Sequence, residues 1–244
     1  MNKFYEIKNE AKDTIDIYIY GYIVSGADKW DESDVTYKDF QCGLEGLKGT
    51  ETVNLYVNSG GGSVIATQGI VAMLQRAKDK GVIINATIDG LGASCASFLP
   101  LLADNVFCYL SSLMMVHKPM MGVGGNANDL QDGINLLNKI EDNVMMPIYM
   151  AKVNDGISEE YIRNLVNAET WLSASEMAEI FNITILEDDK ELVACTRDRE
   201  ILNKYKNTPK GLKFEDEIES EPQVPQDNKE IENLKAKLLL ECLI

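Results

Sequence analysis

The chain has 244 residues, 45% hydrophobic and 25% charged, the composition of a globular protein with one substantial core and no general tendency to disorder. Its 39 Asp and Glu against 23 Lys and Arg leave a net charge of −16, which repels a phosphate backbone and weighs against nucleic acid as a partner. No apolar run reaches the ~18 residues of a membrane helix, and the start MNKFYEIKNEAKD lacks the apolar core of a signal peptide, so no membrane and a cytoplasmic location are expected.

In chain order, TIDIYIYGYIV (14–24) is β-branched and aromatic and predicts a strand running into the turn SGAD. TVNLYVNS predicts a second strand, closed by Gly60, Gly61 and Gly62. After the glycines, Val64, Ile65, Ile70, Met73 and Leu74 fall on helical spacing, and the helix is expected to stop at Gly81. VIINATIDG is the next strand and SCASFLPLLAD a helix that opens on small residues, while NVFCYLSSLMMVHKP supplies extended segments around a Ser-Ser turn. Strands alternating with helices imply crossover units, so the fold class is α/β with a mainly parallel sheet.

Residues 126–153 predict a long helix, apolar at Leu130, Ile134, Leu137, Ile140, Val144 and Met145 and interrupted by Pro147. SEEYIRNLVNA predicts another, with Ser158 ahead of an acidic first turn. From about residue 206 to 230 the prolines and the acidic run around Glu215 and Glu221 read as a solvated linker. Over 231–244, Ile231, Leu234, Leu238 and Cys242 form a short amphipathic stripe.

Three features bear on chemistry. Gly60 to Gly62 form either a tight turn or a place where backbone N–H groups face a ligand, and neither phosphate-loop pattern is present. His117 is the only histidine, so a histidine base working near neutral pH must be this residue, although a lone histidine is commonly structural. Ser94, in GLGASCAS, sits where a helix begins, as an N-cap does, but also where free N–H groups suit a developing oxyanion. The five cysteines are scattered, without CxxC pairs, and indicate neither a disulfide framework nor a zinc site; no metal or cofactor is expected.

NSGGG, GASCAS, MMVHKP and AETWLSASEMAEIFNI follow one another in the order and approximate spacing of the Clp peptidase family, and resemble most its phage-type branch, the prohead maturation proteases. The resemblance runs from about residue 12 to 188. It implies a repeated β-β-α superhelix with a projecting handle helix at about 126–153, in a serine peptidase domain covering 1–205. It further implies Ser94 as nucleophile, His117 as general base and Glu169 as the acid of a triad, with Gly62 and Cys95 supplying the oxyanion hole. Asp104, Asp188 and Asp189 are the alternative acids. Gly60 stands where the family usually has proline.

An extended polypeptide substrate is expected beside Gly122, Gly124 and Gly125, whose missing side chains let two backbones pair. The resemblance also implies a homo-oligomeric ring, capsid or scaffold proteins as substrates, and an AAA+ unfoldase as a possible partner. Two rivals stand beside it. One is an inert capsid-assembly scaffold module with Ser94 as a cap, and the other an acyl-CoA enzyme of the related crotonase architecture.

Overall fold

A computed structural model describes residues 7–11, 14–25, 34–44, 47–49, 51–187 and 204–209. The chain divides into two compact units, Met1–Lys213 and Phe214–Ile244, and every described residue lies in the first. The acidic linker beyond residue 209, the terminal amphipathic stripe, Asp188 and Asp189 all lie outside the described residues.

The strands are β1 (Ile7–Ala11), β2 (Thr14–Ile19), β3 (Ile23–Val24), β4 (Val35–Thr36), β5 (Thr52–Ser59), β6 (Ile83–Ala93), β7 (Asn105–Tyr109), β8 (Leu113–Val116), β9 (Thr170–Ser173) and β10 (Thr184–Leu186). The principal helices are α1 (Tyr37–Leu44), α2 (Val64–Asp79), α3 (Phe98–Leu102), α4 (Ala127–Ile140), α5 (Met146–Met150), α6 (Glu159–Asn167) and α7 (Ala174–Ile180). The main sheet runs β1-β2-β5-β6-β7-β10, parallel from β2 onward, with β1 antiparallel at one edge. This is the expected α/β class. Two local expectations change: the strand foreseen over 14–24 ends at Ile19, and Ile23–Val24 leaves to pair with β4 in a separate small sheet.

Period-2 patterning sets the two faces of the sheet. Ile15, Ile17 and Ile19 of β2, Val53, Leu55 and Val57 of β5, and Ile84, Ala86 and Ile88 of β6 point into the core. They meet Ile70, Leu74 and Ala77 of α2 and Phe40 of α1 within one cluster, each buried Val, Leu, Ile or Phe side chain contributing about 1.5–3 kcal/mol. On the opposite face the shared register aligns Asp16, Asn54, Asn85 and Asn105. Their amides form a ladder, Asn54 donating to Asp16 at 2.8 Å, Asn85 to Asn54 at 3.0 Å and Asn105 to Asn85 at 2.9 Å.

β6 is unusually long and changes partner along its length, pairing with β7 through Asn85–Ile88 and with β8 through Leu91–Ala93. β9, a strand the sequence did not reveal, then runs antiparallel to β8.

The long helix foreseen over 126–153 is divided. α4 gives way to a π-helical turn at Glu141–Met145, and α5 carries Pro147 in its first turn. Pro147 has no N–H and its ring crowds the carbonyl one turn earlier, so a widened turn accommodates it where a regular helix would not. The apolar stripe divides with it: Met145 is buried, whereas Leu130 and Ile134 are about half exposed (44% and 51%). α4 thus projects from the core, with Gly133 its only buried residue.

α7 begins with a capping box, in which Ser173 Oγ accepts from the Glu176 N–H and the Glu176 carboxylate accepts from the Ser173 N–H. Ser173→Ala is expected to cost about 1 kcal/mol, read as a lowered urea midpoint with an unchanged slope.

Candidate active site

Strand register assembles the site. Ser59 at the end of β5 lies opposite Gly92, so the glycine turn that follows sits beside the end of β6. Ala93 pairs with Met115, which brings the residue after β6, Ser94, near the residue after β8, His117. Val116 pairs with Thr170, and one step further the antiparallel register sets His117 opposite Glu169. Four sequence-distant segments therefore meet at neighbouring strand ends, the place where parallel α/β sheets characteristically present ligand sites.

Ser94 is half-buried and opens a 3-10 turn, Ser94–Ser97, ahead of α3. Its φ is +54°, the left-handed region that costs an L residue roughly 1–2 kcal/mol. It makes no cap hydrogen bond; the residue in the N-cap position is Ala93. The N-cap alternative for Ser94 is thereby corrected: the sharp strand-to-helix bend aims the hydroxyl outward at His117 instead of back at its own helix. Ser94 Oγ lies 2.7 Å from His117 Nε2.

Ser97, which ends the 3-10 turn, is fully buried and donates to the Ser94 carbonyl at 2.6 Å. Its Oγ also lies 3.0 Å from the hydroxyl of Tyr149, a fully buried residue of α5. This polar pair stakes the elbow to the helical layer beneath it.

Gly61 has φ +101° and Gly62 φ +144°. A Cβ on Gly61 would stand 2.7 Å from Ser94 Cβ, and one on Gly62 2.2 Å from the Ile23 carbonyl oxygen. Both positions demand glycine on conformation and on space. The turn is pinned from the side of β3, with Ile23 N–H donating to the Gly61 carbonyl at 3.0 Å and Ser63 N–H to the Ile23 carbonyl at 2.7 Å. Burial pushes the Cys95 thiol up to about 11, partly offset by the Thr67 hydroxyl and the Gly62 N–H that face the sulfur. Cys95 is therefore a neutral, buried packing residue at neutral pH.

His117 is buried, 7% exposed. Burial depresses its basicity below the ordinary histidine value, and the Glu169 charge opposes part of that effect. Glu169 also has a left-handed backbone, φ +51°. Its Oε1 accepts from the Asn207 N–H at 2.6 Å, and among the described residues no hydrogen bond joins it to the imidazole. Asp104, an alternative acid, lies elsewhere: it pairs with Lys78 at 2.9 Å and accepts from the Ile84 N–H. Burial alone would raise the Asp104 carboxyl, but those two partners outweigh it and hold it below the usual value.

A cavity of about 500 Å³ opens over Ser94 and His117, walled by Tyr22 to Ser25, Gly62 to Val64, Pro119, Met120, Lys204 and Tyr205. Beyond it the chain from Met121 to Gly125 is exposed and irregular. Nothing lies within 4 Å of a Cβ placed on Gly122 or Gly124, whereas Gly125, at φ +145°, is required by the turn that caps α4 at Asn126 and Asp129. No group of three or more His, Cys, Asp or Glu among the described residues is placed to hold a metal ion. Among the same residues no helix is long and apolar enough to cross a membrane.

Sequence reasoning missed Tyr205 and Asn207. Their surroundings, KYKNTP, carry only the turn signal of Asn-Thr-Pro, which says nothing about a contact with His117 almost ninety residues earlier.

A hydrogen-bonded Ser–His pair at the ends of adjacent parallel strands, beneath an open cavity and beside a glycine turn, defines an α/β protein with a preformed Ser–His site. The chain belongs to the Clp protease family, whose model, described as Clp protease, matches residues 33–181. It is similar to the ATP-dependent Clp protease proteolytic subunit 1 of Salinibacter ruber (strain DSM 13855 / M31), at 29% identity over 140 residues. The matched stretch covers 56% of this chain and 57% of that relative, so the chain spans little more than half the relative's length.

Proposed function

We propose that the protein is a serine peptidase that hydrolyses peptide bonds through Ser94 and His117. The observation that carries this reading is the 2.7 Å contact between Ser94 Oγ and His117 Nε2 at a backbone bend that no helix cap explains. His117 takes the hydroxyl proton as Ser94 attacks the scissile carbonyl, then returns it to the leaving amine; water repeats the cycle on the acyl-enzyme. Glu169 favours the imidazolium formed in the first step. The Cys95 N–H receives the oxyanion, and the Gly62 N–H joins it by turning from the Cys95 sulfur, which it faces in the resting site. Substrate lies extended beside Gly122 and Gly124.

The pH dependence follows from the burial of His117. Only the neutral imidazole can accept the proton, and its basicity is depressed, so activity rises with pH through a midpoint below the ordinary ~6.5. The test is the rate of covalent labelling by a fluorophosphonate across pH, with the adduct located by mass spectrometry. Attachment to Ser94 with that acid limb is expected. Absence of labelling in the full-length protein would favour a scaffold or acyl-CoA role.

At the level of substrate, processing of capsid or scaffold proteins during phage head maturation is supported by the ETW segment at 169–171 and the acidic C-terminal region. A subunit fed by an ATP-dependent unfoldase is the second reading, favoured by the name of the Salinibacter relative. The two differ in what is cut unaided. A maturation protease cleaves its folded partner without ATP, whereas an unfoldase-dependent subunit alone cleaves only short or unfolded peptides. The projecting α4 with its exposed Leu130 and Ile134 supports assembly into a ring.

A further inference from the structure

Residues 204–209 lie beyond the stretch matched by the family model, yet they reach the Ser94–His117 pair. Tyr205 is buried, 4% exposed, and stands edge-on to the His117 ring with centroids 4.9 Å apart and planes at 66°. Its hydroxyl donates to the Gly60 carbonyl at 2.9 Å, at the head of the glycine turn. Trp171 of β9 packs edge-on behind it at 6.3 Å. Two residues on, the Asn207 N–H donates to Glu169 Oε1 at 2.6 Å, and Asn207 Nδ2 donates to the Ala168 carbonyl at 2.6 Å and the Glu169 carbonyl at 3.2 Å. Thr208 Oγ1 donates to the Tyr205 carbonyl at 3.3 Å and closes the turn.

We propose that residues 204–209 form a strap that positions the proton-transfer pair, Tyr205 seating the His117 imidazole against the glycine turn and Asn207 holding the Glu169 carboxylate in place. The inference rests on the peptidase reading of Ser94 and His117. Glu169 occupies a strained left-handed backbone and its carboxylate makes no hydrogen bond to the ring, so something else must set its position. Asn207 does so with three hydrogen bonds, two to the backbone carbonyls around the strain and one to the carboxylate itself. Tyr205 covers the imidazole, limits its hydration and ties the strap to the turn that carries Gly62. Tyr205 and Asn207 are positioning residues, Asn207 acting through Glu169 and Tyr205 through the His117 ring and the Ser94 hydroxyl that faces its own.

The two residues act on His117 in opposite senses, which separates positioning from mere support of the fold. Glu169 is the charge that acts on the ring and Tyr205 covers it; Tyr205 in turn faces Cys95 and Tyr22, and Tyr22 and Lys204 line the same cavity. The neighbouring Lys118 is engaged by Glu141 at 3.2 Å. Burial lowers the basicity of the imidazole and Glu169 raises it. Freeing Glu169 therefore moves the acid limb of the reaction to lower pH, whereas uncovering the ring moves it to higher pH.

The experiment measures fluorophosphonate labelling of Ser94 against pH in the full-length wild type, Tyr205→Ala, Tyr205→Phe and Asn207→Pro, with folding checked by circular dichroism. Asn207→Pro, which removes the donor to Glu169, is expected to slow labelling about ten- to a hundredfold and shift the limb down. Tyr205→Ala is expected to shift it up, and Tyr205→Phe, which keeps the ring, to restore the wild-type limb. If Asn207→Pro does not fold, Asn207→Ala removes the two side-chain bonds and must shift the limb in the same downward sense. Wild-type rates and limbs in the folded variants would overturn the strap alone. A wild type that never labels would overturn the peptidase reading, and the strap's role with it.

Discussion

Ser94→Ala is expected to lower peptide hydrolysis by on the order of 10⁴-fold or more, and His117→Ala by a similar factor, with the double variant scarcely worse than either. The non-additivity follows from the 2.7 Å contact: a hydroxyl without its proton acceptor is a poor nucleophile, and an imidazole without the hydroxyl has nothing to activate. Stability should hardly move in Ser94→Ala. Alanine keeps the Cβ and so the same left-handed strain, and the lost hydrogen bond is a half-exposed one worth about 1 kcal/mol. Initial rates on a fluorogenic peptide and thermal melts of the same preparations check both halves. A melt lowered as drastically as the rate would mean that Ser94 serves the fold. Independent losses that multiply in the double variant would mean that the two side chains do not act as one unit.

Gly61→Ala is the second large effect. Its Cβ would stand 2.7 Å from Ser94 Cβ, 2.9 Å from the Ala93 carbonyl oxygen and 3.3 Å from Ser94 Oγ, on a backbone at φ +101°. No rotamer relieves a Cβ clash, so either the glycine turn or the elbow must move, and each carries part of the reacting geometry. We expect a loss of about 1–3 kcal/mol from the backbone conformation alone, together with a fall in activity of at least a hundredfold. Gly122→Ala is the matched control, since its Cβ meets nothing within 4 Å. Its melt should match the wild type, and any effect should fall on KM through the pairing with substrate. Urea unfolding and steady-state kinetics of the two variants distinguish these outcomes. A Gly61→Ala protein with full activity would show that the turn and the elbow are not coupled.

The alternation of strands and helices was legible because it is written in short-range periodicity. β2, β5 and β6 alternate faces every second residue, and α2 repeats its apolar positions every three or four. Ser94, His117 and the glycines were legible as well, because each is either unique in the chain or sits in a stretch of small residues whose spacing resembles that of a known family. Helix starts at Ser158 and Ser173 follow from the same local chemistry, since an N-cap needs only its own next turn.

Register and long-range return are not local, and they decided the rest. By composition Asp104 and Glu169 are equivalent acids; Glu169 faces His117 because β9 pairs antiparallel with β8, while Asp104 is drawn to Lys78 and the Ile84 N–H. The left-handed bend at Ser94 comes from the need to leave β6 at Ala93 and enter a 3-10 turn at the next residue, a demand that serine itself does not announce. Tyr205 and Asn207 reach the site from outside every periodic segment, and no pattern within a dozen residues could place them over an imidazole. The sequence by itself determined which residues can do chemistry and which elements carry them. Only the tertiary structure decided which of them meet, because pairing partners are chosen by the free energy of the whole sheet and core, which no local window contains.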